Sequence, residues 1–227
     1  MESPLVEIRN LYFTYNNRDY IFEGINLTLE RYGVTCVVSD PGKGKTTLLK
    51  LIKGILKPTR GNVIVMDIDI SSAPKSKLMN LHTKVSIHFQ DTFLISNIDV
   101  YNNLALPLMY NTNLSKKEIE YEVDKALNLF GIQNLKYDTP FDLSPTEARL
   151  VSLSRTFLGL PRIILLDEPF SLLDGYYKAR LLEVIGEFKE KSKIIFTTSD
   201  ENLSMASESI LYILNIESSK KIYYVNK

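Results

Sequence analysis

"SDPGKGKTT", Ser39 to Thr47, decides how this chain is read. It lies between "GVTCVV", a short apolar run of β-branched type, and "KTTLLKLIKGIL", which is apolar at helical spacing. The first reads as a buried strand and the second as a helix. A phosphate group needs several backbone N–H groups aimed at one point, so the loop that holds it needs glycines that tolerate unusual dihedrals and close approach. Gly42 and Gly44 supply them. Lys45 has the reach for the β- and γ-phosphates of a nucleotide and Thr46 for its Mg²⁺, while the following helix aims its N-terminal dipole at the anion. The candidate phosphate-binding set is Ser39, Asp40, Pro41, Gly42, Lys43, Gly44, Lys45, Thr46 and Thr47. The usual pattern opens with glycine, and here Ser39 stands in that place.

"RIILLDEP" is the second anchor. An apolar strand ends in Asp167 and then Glu168, and adjacent carboxylates at a strand end can divide labour. One holds the Mg²⁺ shell; the other orients or deprotonates water. An acidic pair after a strand says little alone, but coupled to the phosphate loop it points to nucleotide triphosphate chemistry.

The remaining sequence bounds the fold. A length of 227 residues fits one α/β domain, 1–227, with room for a helical insertion at about 90–157. With 44% hydrophobic and 24% charged residues the chain can build an ordinary globular core. The formal net charge is zero, which gives no basic field, so no nucleic acid partner is expected. The one cysteine, Cys36, excludes a disulfide framework, reads as a buried small hydrophobe and fits a reducing compartment. "MESPLVEIRN" has no basic-then-apolar signal pattern, and no apolar run approaches the ~18–20 residues that span a bilayer. Any membrane link is expected to come through a partner.

"LVEIRNLYFTY" and "INLTLE" alternate as antiparallel strands do, and "GNVIVMDID" and "KVSIHF" read as further strands. "DVYNNLALPL" reads as a short helix. In "SKKEIEYEVDKALNLFGI" the residues Ile119, Val123, Ala126, Leu127 and Phe130 form one stripe, with Ser115 and Glu118 as a capping box and Gly131 as a stop. The strand "RIILL", a helix over about 174–189, and the strands "KIIFTT", "SILYIL" and "KIYYV" complete the chain. The expected class is α/β, with a mostly parallel core sheet, an antiparallel N-terminal β part and a helical insertion.

The two anchors mark a P-loop ATPase. The whole pattern resembles the ATPase subunit of an ATP-binding cassette (ABC) transporter over almost the entire chain, and "ALPL" with "DEPF" is most similar to the branch serving lipid and lipoprotein export or cell division. The resemblance implies an adenine-stacking role for Tyr15 in "FTY", and a γ-phosphate and Mg²⁺ sensor in Gln90 of "HFQD". It implies Glu168 as catalytic base, Thr46, Gln90 and Asp167 around the metal, and Asp174 of "SLLD" in the loop that follows. It implies ATP and Mg²⁺ as cofactors, a transmembrane permease subunit as partner, and a homodimer or a heterodimer with another ATPase subunit. The expected location is cytoplasmic, peripheral on the cytoplasmic face of the inner (plasma) membrane.

Two departures qualify the activity. Family members present "LSGGQ" to the ATP held by the partner subunit; here "LSPTE" keeps Ser144 and loses both glycines. "SPTE" is a good helix start, with Ser144 at N-cap, Pro145 at N1 and Glu147 at N3, yet Pro145 has no N–H to offer a nucleotide. The segment therefore reads as either a weakened nucleotide contact or a well-capped helix. Second, Ser199 stands where the family has its switch histidine, and a serine cannot carry positive charge. His82 and His88 lie elsewhere and read as incidental. The consecutive apolar residues Phe93, Leu94 and Ile95 read as a partner-facing loop or as part of the helical core. The expectation is an ATP-binding, slowly hydrolysing subunit of an ABC complex, with lipid or lipoprotein trafficking as its branch. The alternative is an ATP-gated assembly or regulatory module with little hydrolysis.

Overall fold

The computed structural model describes residues 4–216 and 219–226, so the first three residues of the N-terminal stretch lie outside the described residues. Strand β1 (Val6–Thr14) pairs antiparallel with β2 (Tyr20–Leu29) on one side and β4 (Arg60–Val65) on the other. β4 turns back on β5 (Ile68–Asp69), giving the order β2-β1-β4-β5. The turn between them is Met66–Asp67, with φ of 52° and 61°. Positive φ at both central residues is what a two-residue hairpin of matching twist requires. "GNVIVMDID" is thus two strands and a turn, not the one strand expected.

The second sheet has the order β10-β9-β3-β8-β7-β6. Strands β3 (Gly33–Val38), β6 (Val85–His88), β7 (Ile163–Leu166), β8 (Lys193–Thr198) and β9 (Ser209–Ile216) are mutually parallel, and β10 (Ser219–Asn226) is the antiparallel edge. β3, β7 and β8 read as largely apolar runs because both of their faces are covered. Alternate residues serve opposite cores. Ile164, Leu166, Ile194 and Phe196 pack with Val34, Cys36 and Val38 against the helical layer. Ile163, Leu165 and Ile195 pack with Val37 against the antiparallel sheet and the helix after the phosphate loop.

That helix is α1 (Lys45–Lys53), and it ends at Gly54 in the left-handed region. Between β6 and β7 run α3 (Val100–Asn111), α4 (Lys116–Asn128) and α5 (Pro145–Thr156). The Ser115–Glu118 capping box is present, and Ile119, Val123, Ala126 and Leu127 face inward as the stripe required. α6 (Gly175–Phe188) links β7 to β8. One helix had no counterpart in the sequence reading: α2 (Lys75–Lys84) buries only Leu81 and has no side-chain cap, so it carries no apolar stripe.

Candidate functional site

The register of the parallel sheet brings four chain segments to one edge. Val38 lies beside Thr198, Leu166 beside Phe196, and His88 beside Leu166. The residues that follow these strand ends are Ser39, Ser199, Asp167 and, two beyond His88, Gln90. The crevice outside the carboxyl ends of parallel strands is where ligands bind in such sheets. Here it opens into a cavity of about 520 Å³, large enough for a nucleotide's phosphates. Tyr15, Pro41, Gly42, Gly44, Lys45, Thr46, Thr47, Gln90, Asp167, Glu168 and Ser199 all line it, joined by Ile21 and Ser171.

Gly42 and Gly44 sit at φ of 75° and 103°. A Cβ on Gly44 would come within 2.8 Å of Ile21 Cγ2 at a φ that strains any side-chain-bearing residue, so the position favours glycine. Lys45 is 7% exposed, with its ammonium at the centre of the site. It donates to the carbonyls of Ser39 and Asp40 and to Ser199 Oγ (2.8 Å), and lies 3.0 Å from Glu168 Oε1. Ser39 and Asp40 thus contribute backbone carbonyls, and their side chains do not line the cavity; neither does that of Lys43.

The two carboxylates are held differently. Asp167 accepts from Thr46 Oγ1 at 2.6 Å and from Thr197 Oγ1 at 2.8 Å, which fixes both of its oxygens. Thr46 Oγ1 and Asp167, with Gln90 also lining the cavity, offer hard neutral and anionic oxygens, the donor type that suits Mg²⁺. Glu168 points at the cavity and accepts from Ser199 Oγ at 2.9 Å. Its backbone is in the left-handed region, φ 46°, unusual for a residue with a Cβ. Its N–H is held by Thr197 Oγ1 at 2.8 Å.

Arg149, in the second turn of α5, is 1% exposed. Its guanidinium donates to the carbonyls of Glu168 (2.6 Å), Gln90 (2.9 Å) and Pro169 (3.4 Å). Burial pushes its pKa down, opposed by the nearby carboxylates of Glu168, Asp167 and Asp91. His88 sits behind the same region with Nδ1 3.0 Å from Ser152 Oγ. Burial, and then the charges of Arg149 and Arg155, push its pKa down to about 3, so it is a neutral core residue. Neither Arg149 nor Thr197 was found from sequence. Thr197, a polar residue at the C-terminal end of an apolar strand, could have been flagged; an arginine inside a helix ordinarily reads as solvated.

Tyr15 lies on the cavity rim, its hydroxyl 3.2 Å from Thr47 Oγ1 and its ring edge-on to Phe13. Ser144 does not line the cavity. It caps α5: its Oγ accepts from Glu147 N and donates to Glu147 Oε2 (2.6 Å), and its N–H donates to the same carboxylate (2.8 Å). These bonds lower the Glu147 pKa, so a full negative charge sits at the helix start. Thr146 Oγ1 donates to Leu172 O, tying this start to the loop before α6, where Asp174 is the N-cap. The apolar trio splits. Phe93 is 63% and Ile95 46% exposed, Phe93 standing edge-on to Phe89, whereas Leu94 packs onto the core.

Comparison with known proteins gives four likenesses of one kind. The family described as "ABC transporter" matches residues 22–171. The intermembrane phospholipid transport system ATP-binding protein MlaF of Escherichia coli (strain K12) is 33% identical over 183 residues, covering 81% of this chain and 68% of that protein. The ergothioneine transport ATP-binding protein EgtV of Helicobacter pylori (strain G27) is 34% identical over 201 residues, covering 87% and 91%. Among solved structures, the dimeric ATP-binding cassette MJ0796 in a post-hydrolysis state bound to ADP and Pi superposes with a TM-score of 0.88 over 97% of this chain and 98% of that one. At 22% identity that likeness speaks to the fold.

Proposed function

The chain belongs to the ABC transporter family as an ATPase subunit, and from that premise we propose that it binds MgATP at the carboxyl ends of β3, β8, β7 and β6 and hydrolyses it slowly. In this reading the N–H groups of the loop from Gly42 to Thr46 and the Lys45 ammonium hold the phosphates, Tyr15 stacks on the adenine, and the N-terminus of α1 adds its dipole. Thr46, Asp167 and Gln90 are the residues that would hold Mg²⁺, whose charge offsets that of the phosphates. Glu168 accepts the proton of the attacking water. We take residues 1–227 as one ATPase domain, with the helical insertion at about 90–157.

The observation that carries the slow rate is the triad of Lys45, Glu168 and Ser199. Ser199 Oγ spends its proton on Glu168 while accepting from Lys45. It has no charge to lend a developing phosphate, and loss of one such preorganised contact costs about 10²–10³ in rate. The start of α5 adds a second weakness. The Ser144 hydroxyl is committed to Glu147, Pro145 offers no N–H, and Glu147 brings negative charge. One missing charge-assisted hydrogen bond, about 1.5–3 kcal/mol, weakens a nucleotide sandwich roughly ten- to hundredfold. Ser199→His should therefore raise turnover, and Pro145→Gly with Thr146→Gly should raise it separately. Steady-state phosphate release with the native partner present measures both, and no gain from either would remove these sites as the cause of slow chemistry.

The same closed cap on α5 favours a second reading, an ATP-gated assembly module in which occupancy matters and turnover is dispensable. ATP-dependent binding to the partner by the non-hydrolysing Glu168→Gln variant, with full function in cells, would select it.

As an ABC subunit the chain works with a membrane permease and dimerises. No described helix is long and apolar enough to cross a membrane. We propose that it sits on the cytoplasmic face of the inner membrane, and the likeness to MlaF supports a lipid cargo. Phe93 and Ile95, exposed beside Gln90, fit a surface for the permease subunit. Phe93→Ala should lower recovery in the membrane fraction with ATP affinity and Tm unchanged. Leu94→Ala, which strips a half-buried side chain from the edge of the core, should lower Tm by a few degrees for a loss of about 1–2 kcal/mol. Unchanged membrane recovery in Phe93→Ala would reject this surface.

A further inference from the structure

We propose that Arg149 is the positioning residue of the hydrolytic site: its guanidinium fixes the backbone that presents Glu168 and Gln90 and ties both to α5. The proposal rests on the ATPase reading and goes beyond it, since nothing in the phosphate loop or the acidic strand end calls for an arginine here. Its ground is geometric. Glu168 is held in a left-handed backbone at φ 46° and is followed by Pro169. A side-chain-bearing residue adopts that region at a cost, and the proline further narrows the choices of the residue before it. Within the local chain the Ser171 N–H reaches the Glu168 carbonyl at 3.2 Å, and two tertiary contacts reinforce that turn. Thr197 Oγ1 accepts from the Glu168 N–H, and Arg149 donates to the Glu168 carbonyl at 2.6 Å. With both ends of the residue held, its side chain is aimed at the cavity.

The same guanidinium reaches the Gln90 carbonyl at 2.9 Å and the Pro169 carbonyl at 3.4 Å. Three carbonyls from two separate loops meet one planar fork, which a guanidinium suits and an ammonium on a flexible stem does not. Burying a cation costs desolvation, and an apolar residue of similar volume would fill the space more cheaply. The charge sits where its hydrogen bonds, among the described residues, go to the two loops carrying Glu168 and Gln90. Because Arg149 lies one turn inside the start of α5, a shift of that helix reaches the Glu168 carbonyl directly through this side chain, beside the Thr146–Leu172 tie farther along the same loop.

The test uses the full chain. Arg149→Lys keeps the charge and loses the fork; Arg149→Met keeps the volume and loses both. Single-turnover ATP hydrolysis with protein in excess, ATP affinity by calorimetry, and amide hydrogen exchange are measured on each. The expected result is a rate lowered about a hundredfold with ATP affinity unchanged. Exchange should quicken at residues 168–171 and 90–91 and stay as in the wild type in β3 and α1. A wild-type hydrolysis rate in folded Arg149→Lys overturns the proposal, as does exchange that quickens uniformly. If Arg149→Met does not fold, Arg149→Lys decides by both readouts; if hydrolysis by the wild type is too slow to follow, the exchange pattern decides alone. Glu168→Gln is run beside them. Hydrolysis unaffected in Glu168→Gln is a failure of the ATPase reading, whereas loss there with full activity in Arg149→Lys is a failure of this proposal only.

Discussion

ATP binding is expected to disappear in Lys45→Ala. The ammonium is buried at the mouth of α1 and already gathers two carbonyls, the Ser199 hydroxyl and the Glu168 carboxylate. Phosphate oxygens can exchange for the carboxylate without moving the side chain. One charge-assisted hydrogen bond is worth about 1.5–3 kcal/mol, and a lysine that reaches two phosphates supplies more than one. The loss therefore exceeds roughly a hundredfold in affinity. Among the described residues no other cation lines the cavity: Lys43 does not, and Arg149 is engaged on carbonyls behind Glu168. The substitution also leaves Glu168 without its ion-pair partner, so repulsion from the incoming triphosphate grows. Isothermal titration of ATP into the variant, with circular dichroism to verify folding, measures this. An affinity equal to wild type would sink the phosphate-loop assignment.

Glu168→Gln is expected to separate binding from chemistry. The amide keeps the shape and can still accept from Ser199 Oγ, so the wall of the cavity is preserved. What is lost is the proposed acceptor of the water proton, a contribution of about 10²–10⁴ in rate. On the slow hydrolysis proposed for this chain, that amounts to no detectable turnover. ATP affinity should hold or rise, since a negative charge facing the phosphates has gone. Phosphate release followed over hours on wild type and variant, alongside calorimetry, decides it. Release at the wild-type rate would move the base to another residue or trace the activity to a contaminant.

The sequence carried the site well where one segment holds all its parts. "SDPGKGKTT" can be read because strand, loop and helix are contiguous and each residue type answers a local need of phosphate. Glu168 and Asp167 could be read because an apolar strand ends on them. The helix starts at Ser115 and Ser144 were legible for the same reason: capping is a matter of four consecutive residues. What stayed hidden depends on distance. Thr197 serves Asp167 and Glu168 from a neighbouring strand, and Arg149 serves Glu168 and Gln90 from a helix, contacts that no local pattern announces. α2 escaped because a helix with one buried residue leaves no period to detect. The Met66–Asp67 turn escaped because Met66 is an unusual residue for positive φ and no glycine or asparagine marks the pair.

The strand order has a further consequence for how the molecule behaves in a cell. β3 and β8 lie side by side through Val38 and Thr198, although the chain makes β6 and β7 between them in sequence. Non-local parallel pairing is slow, because loop closure must be met before contacts reward it. The cavity exists only when this pairing is complete, so the nucleotide has affinity for the finished sheet and none for the chain on its way there. By mass action a ligand at a hundred times its Kd adds about 2.7 kcal/mol to the folded state. Cellular ATP then acts as a chaperone-like stabiliser of its own receptor, and the lifetime of the subunit becomes tied to the energy charge of the cell even when turnover is negligible.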